Sequence, residues 1–185
     1  MLSVLTTPDV TIDLYRTAMQ CLDRAYQEID GLLLQSGGLC PAGVPAYTPR
    51  APRIHPDLMA LELMLPLPHM AKAAPADPAL RLPETGAAYL GMRYVTEGAQ
   101  LGSRMIYQHL HAAFGERLAE FGSFWTPGWI PQGGWPGVLT GLGRLESRDS
   151  LAAAARAARM TFRHMALHLA AGDSAVKAAR EGEAS

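Results

Sequence analysis

Cysteine, lysine and long apolar runs are all scarce in this chain. Only Cys21 and Cys40 are present, and their spacing is not that of a metal site. The formal net charge is −1 and no basic stripe is present, which argues against a nucleic-acid partner. No apolar run approaches the roughly 18 residues of a membrane span, and the amino terminus lacks the basic leader of a signal peptide. We therefore expect a soluble, reduced, cytoplasmic protein with no membrane or nucleic-acid partner.

Recognisable catalytic motifs are also missing. No Ser-His-Asp arrangement, phosphate-binding loop or cysteine cluster is present, so the sequence does not support hydrolysis or phosphoryl transfer. No segment alternates as a strand does. With 185 residues, 49% of them hydrophobic and 18% charged, the chain is predicted to form one all-α domain. We assign that domain to residues 1–172 and expect a polar, disordered tail over residues 173–185.

Five helices are predicted from apolar spacing and from start and stop signals. The first begins at Thr7-Pro8-Asp9 and a short one follows a long Gly- and Pro-rich segment. The longest begins at Pro83-Glu84 and ends before Gly115. Ser147 is expected to cap the last helix and Gly172 to stop it. The predicted spans are residues 7–34, 56–65, 83–114, 135–145 and 148–171.

The longest predicted helix carries an unusual number of glycines, each of which costs about 1 kcal/mol relative to alanine in a helix interior. Spacings of three and four residues place six positions on one face. Such a bare face permits either close packing by another helix or the approach of a flat ligand to the backbone. The six positions are Gly91, Val95, Gly98, Gly102, Ile106 and His109.

This segment, YLGMRYVTEGAQLGSRMI, resembles the distal helix of bacterial haem oxygenases, in particular the branch that makes biliverdin for phytochromes. That branch typically has Tyr-Val-Leu-Glu-Gly-Ser-x-Leu-Gly-Gly. The chain departs from the pattern at Thr96, Ala99 and Ser103. Shorter similarities extend over about residues 55–170, including GGWPGVLTGLGRL and AAAARAARMTFRHMALHL. Six residues match in register: Tyr94, Val95, Glu97, Gly98, Leu101 and Gly102.

The resemblance implies a haem-oxygenase-like helical bundle in which haem lies between a proximal and a distal helix. Gly98 and Gly102 would be the distal glycines that let the backbone approach the haem, with Ala99 and Ser103 beside them. The implied activity cleaves haem with O₂ and electrons from an external donor to biliverdin, CO and iron. A bacterial phytochrome would be a possible partner.

One feature of the family is missing: its first helix carries the histidine that ligates iron, and no histidine precedes His55 here. In one alignment Tyr26 takes the ligand position, although tyrosine has a pKa of about 10 and would need activation. In the other, which we prefer, the first helix matches the family's second and the proximal helix is absent. A second subunit or a rearranged segment would then have to supply that wall. A non-catalytic haem- or bilin-binding protein, or a helical interaction protein, is therefore the alternative.

Other side chains have weaker indications. Arg104, Arg159 and Arg163 could pair with haem propionates, since guanidinium binds carboxylates in a bidentate manner. His109 shares the glycine face, and Cys21 is a thiolate candidate. Glu97 is expected to be structural, paired with an arginine or a backbone amide.

His164 and His168 lie one helical turn apart, so one metal ion could reach both. Glu62, Glu97 and His109 could join such a site, but the spacing is not that of the di-metal oxidases that share the broad scaffold. No metal site is therefore predicted, and a metal-dependent oxidase is the weakest of the alternatives.

Overall fold

Seven α-helices and several short 3₁₀ turns account for most of the described chain. The computed structural model describes residues 5–7, 9–65, 80–126, 128 and 133–183, with side chains as far as residue 172. No strand occurs in these ranges, so the all-α, single-domain prediction is confirmed. The helices are α1 (Ile12–Gln35), α2 (Ala51–Met64), α3 (Gly86–Gly98), α4 (Ser103–Phe114), α5 (Leu118–Phe121), α6 (Gly134–Gly143) and α7 (Arg148–Glu183).

Helix α1 is the centre of the bundle. It packs against both α2 and α7, while α3 lies between α7 and α6. Because it has neighbours on several sides, α1 buries polar residues as well as an apolar stripe, among them Asp23 and Asp30. Its core residues include Tyr15, Ala18, Met19, Leu22, Tyr26, Ile29 and Leu33.

Local capping explains where three helices begin. Thr11 Oγ1 accepts a hydrogen bond from the backbone N–H of Leu14, and Thr85 Oγ1 accepts one from Ala88. Ser147 Oγ accepts one from the backbone N–H of Ser150 at 3.1 Å, so the predicted cap of the last helix is confirmed. The predicted start of the first helix at Thr7 is wrong, because the cap is Thr11.

Helix α2 is capped from a distance. Asp30 Oδ2 accepts hydrogen bonds from the backbone N–H groups of Arg50 and Ala51, each at 2.8 Å. This carboxylate accepts from backbone N–H groups that the start of a helix would otherwise leave unpaired. Its negative charge also interacts favourably with the positive end of the helix dipole. The helix therefore begins at Ala51, five residues before the predicted start at Pro56.

Two other boundaries differ from prediction. The longest predicted helix is broken by a 3₁₀ turn at Ala99–Gly102, although it does end before Gly115. Helix α7 passes through Gly172, which is buried, and continues to Glu183. The predicted division of the chain at residue 172 stays a prediction, and the Pro-rich connection at residues 66–79 lies outside the described residues.

None of the described helices is both long and apolar enough to cross a bilayer.

Candidate functional site

The glycine segment (residues 98–103) joins α3 to α4 as a 3₁₀ turn. Gly98 ends α3, the turn spans Ala99–Gly102, and α4 begins at Ser103. Two glycines within five residues weaken the α-helix here, and a 3₁₀ stretch inside a longer helix often marks a functional position. Ala99 is exposed, and Ser103 is half-buried with its hydroxyl donating to Gln100 Oε1 at 3.4 Å.

The glycines of the predicted face have three different surroundings. A Cβ on Gly91 would lie 2.1 Å from the carbonyl oxygen of Ala154, so this glycine permits close packing of α3 on α7. A Cβ on Gly98 would lie 3.0 Å from the Trp135 ring of α6. A Cβ on Gly102 would have nothing within 4 Å. The face therefore serves helix packing at Gly91 and is uncovered at Gly102.

Large apolar side chains are exposed on and beside the glycine segment. Leu101 is 65% exposed, Met105 is 55% exposed and Tyr94 is 37% exposed. The Tyr94 ring also contacts Trp135, with the ring centroids 5.1 Å apart. Apolar side chains next to uncovered backbone form a surface suited to a flat, apolar ligand or to another protein.

A buried ionic network fixes α3 directly before the glycine segment. Glu97 Oε2 accepts a hydrogen bond from Arg50 Nη2 at 2.8 Å, and Glu97 Oε1 accepts from Arg93 Nη2 at 2.7 Å. Both arginine side chains are fully buried, and both guanidinium groups lie over the Tyr47 ring. The predicted pairing of Glu97 with an arginine is confirmed, and the network holds α3 and the 40–50 segment together.

Tyr26 and Cys21 of α1 both lie in the core, with exposed fractions of 2% and 3%. The Tyr26 ring packs against Phe124, with centroids 6.2 Å apart. Burial raises the pKa of the Tyr26 phenol to about 12, which opposes formation of the tyrosinate that an iron ligand requires. Neither side chain is accessible to a haem in this arrangement.

The remaining predicted residues are exposed but not all lie near the glycine segment. Arg104 and His109 lie on α4, where His109 Nδ1 is 2.8 Å from the carbonyl oxygen of Met105. Arg159 lies on α7 between Arg156 and Met160, which share a cavity of about 270 Å³ with residues 81–85 at the start of α3. The glycine segment is at the other end of α3, about 20 Å away for a helix of 13 residues.

Arg163 is also exposed on α7, directly before the buried His164. Arg104 and His109 lie on the first two turns of α4 and are therefore near the glycine segment, whereas Arg159 lies at the far end of α3.

A second cavity, of about 360 Å³, is lined by Cys40, Tyr47 and Tyr89 among others, and it too is formed without residues 98–103.

A separate cluster lies where α1 meets α7. His164 and His168 are buried, with ring centroids 4.6 Å apart, and both point toward Glu28 of α1. Burial, and then the neighbouring His164, lower the pKa of His168, which favours the neutral imidazole. The sequence showed the histidine pair through its spacing of four, but Glu28 could not be found because it is 136 residues from His164 along the chain.

Comparison with known proteins gives no further assignment. The chain matches no protein-family model, no curated protein and no solved structure.

Proposed function

We propose that the protein is a haem-oxygenase-like, tetrapyrrole-binding protein that holds haem or a bilin against the glycine segment. The observation that carries the proposal is the uncovered Gly102 within a broken helix, flanked by the exposed side chains of Leu101 and Met105. A macrocycle is flat and largely apolar, so it gains most from close approach to bare backbone and from burial of such side chains. The sequence resemblance points to the same residues.

A tetrapyrrole fits the side formed by the glycine segment and α4, which resembles the family's distal side, better than it fits α1. Tyr26 and Cys21 are buried, so α1 offers neither as an iron ligand. His109 on α4 is exposed, and a proton on Nδ1 shared with the Met105 carbonyl would leave Nε2 with a free lone pair. We therefore assign His109 as the candidate ligand, and Arg104 as the candidate partner of a propionate.

A bound haem would supply iron able to activate O₂, and an external electron donor would complete the reaction to biliverdin, CO and iron. In that case a bacterial phytochrome is the proposed recipient of biliverdin. What the chain contributes is the bare backbone at Gly102, the apolar surface around it, and the rigid support that the Glu97 network gives to α3.

A hemin titration tests the proposal. We expect the Soret band to shift on mixing, and Gly102→Leu to abolish the shift by filling the space over the backbone. Gly31→Leu is the matched control, because a Cβ at Gly31 of α1 also has nothing within 4 Å. Failure of the wild-type protein to shift the band of hemin, and failure to bind biliverdin, would overturn the proposal and favour a helical interaction surface.

The hemin complex also tests which residue ligates the iron and whether the protein cleaves haem. His109→Ala should change the spectrum of the hemin complex, whereas His111→Ala, Tyr26→Phe and Cys21→Ala should not. Adding a reductant under air distinguishes the two functions on this fold: appearance of a biliverdin spectrum indicates an oxygenase, and an unchanged macrocycle indicates a carrier.

A further inference from the structure

We infer that Glu28, His164 and His168 form a binding site for one divalent transition-metal ion between α1 and α7. The site is independent of the glycine segment, since it uses a different helix pair and none of the same residues. Nothing in the proposed tetrapyrrole function requires it.

The geometry of the three side chains is close to that of a metal site. His164 Nε2 lies 3.8 Å from Glu28 Oε2, and His168 Nε2 lies 3.5 Å from Glu28 Oε1. One potential ligand atom from each residue lies within 4.8 Å of the others. Ligands about 2.1 Å from a tetrahedral metal are roughly 3.4 Å apart, so side-chain adjustments of about 1 Å or less close the site.

The hydrogen-bonding state of the two histidines supports the inference. His164 is fully buried and His168 is 4% exposed. Both ring nitrogens of His164, and Nε2 of His168, have no hydrogen-bond partner within the described part of the chain. At 3.5 and 3.8 Å, the separations from Glu28 are longer than an ordinary N–H···O hydrogen bond. Buried polar atoms are normally satisfied, and a metal ion would satisfy the two Nε2 atoms at once.

Access and charge are compatible with an ion that enters from solvent. The Glu28 side chain is 46% exposed, so one side of the site opens to water and an additional ligand can complete the coordination. Arg24 lies one turn before Glu28 and opposes a cation, as its lowering of the pKa of His168 shows. The carboxylate of Glu28 acts on His168 in the opposite sense and more strongly than Arg24 does, so it offsets that charge.

The ligand set indicates the class of metal. Two imidazoles and one carboxylate suit Zn²⁺, Co²⁺ or Fe²⁺ rather than Ca²⁺ or Mg²⁺, which prefer oxygen ligands. Three protein ligands with an open position are typical of sites that keep a coordinated water or bind a small ligand, whereas structural zinc sites use four.

Metal titration of the purified full chain tests the site. We expect one Co²⁺ to bind with a visible absorption band, and Zn²⁺ to displace it and raise the melting temperature. Glu28→Gln keeps the size of a half-exposed side chain and should leave the fold intact, while weakening binding by about tenfold or more. His168→Ala should weaken it further, provided that circular dichroism shows a folded protein.

The matched control is His111→Ala, which removes an exposed histidine from α4 and should bind metal as the wild type does. The inference is overturned if the wild-type chain binds no Co²⁺ or Zn²⁺, or if Glu28→Gln binds either as tightly as the wild type. Because hemin is absent from every arm, a failed tetrapyrrole proposal would leave these results unaffected.

Discussion

A single carboxylate, Glu97, forms ion pairs with two fully buried guanidinium groups. Each of its oxygens accepts from a different arginine, Arg50 from the segment before α2 and Arg93 from its own helix. A buried ion pair adds little net stability compared with apolar packing, but removing one member leaves an uncompensated charge in the core. The network is therefore a point of high sensitivity directly before the glycine segment.

Glu97→Gln should destabilise the protein by about 3–5 kcal/mol, because the amide carries no charge and turns a donor toward an arginine. Glu146→Gln, at an exposed position in the loop before α7, should change stability by about 0.5 kcal/mol or less. Urea denaturation of both variants measures the difference. Equal losses in the two would show that the network carries no special weight.

At this scale the sequence predicted the kind of partner that Glu97 has, an arginine or a backbone amide, but not which residues supply it. Arg93 lies one turn before Glu97, at a spacing where side chains on a helix meet. Arg50 is 47 residues away, and Asp30 caps α2 from 20 residues away. Such contacts depend on how the helices pack, which no local pattern contains.

Helix α3 and its continuation show why identical residues can have opposite roles within one element. Gly91 is required where α3 meets the backbone of α7, and Gly102 is uncovered. The sequence predicted a glycine face and left packing and ligand binding open as its explanations. It could not divide the face between them, because the division depends on where Ala154 and Trp135 lie.

Replacing each glycine by alanine separates the two roles. Gly91→Ala places a Cβ 2.1 Å from a backbone oxygen that cannot move aside, so we expect a loss of about 1–3 kcal/mol or more from overpacking. Gly102→Ala occupies open space at φ −80° and ψ −15°, and should gain about 0.4–1 kcal/mol from reduced entropy of the unfolded chain. Thermal unfolding of the pair measures both effects, and a comparable loss in Gly102→Ala would contradict the structure.

Helix boundaries were predicted correctly where residues at the boundary itself determine them. Ser147 capped α7 as predicted, and α4 ended before Gly115, which adopts a φ of 60°. Gly172 did not stop α7, because a glycine ends a helix only when the chain turns there, and the alanine-rich flanks continue to favour helix. The predicted helix span runs through the 3₁₀ break in the glycine segment, because the pattern on both sides of it is helical.

For the molecule as a whole, the all-α class could be predicted from composition and periodicity, whereas the arrangement around α1 could not. The rings of Tyr15 and Tyr26 are buried around it and that of Tyr47 is half-buried. All three phenols have a raised pKa, with burial as the main cause. The chain has only two lysines and two cysteines, so tyrosine dominates its titration at high pH.

Stability should therefore fall as the pH rises above 10. Unfolded tyrosines lose their protons near pH 10, whereas Tyr26 in the folded protein keeps its proton until about pH 12. Between these values the folded state binds more protons than the unfolded state, so the free energy of unfolding decreases with pH, by about 3 kcal/mol for Tyr26 alone. Urea denaturation at successive pH values measures the slope, and Tyr26→Phe should make it shallower. A free energy of unfolding that stays constant across this range would show that the phenols are not held in the core as described.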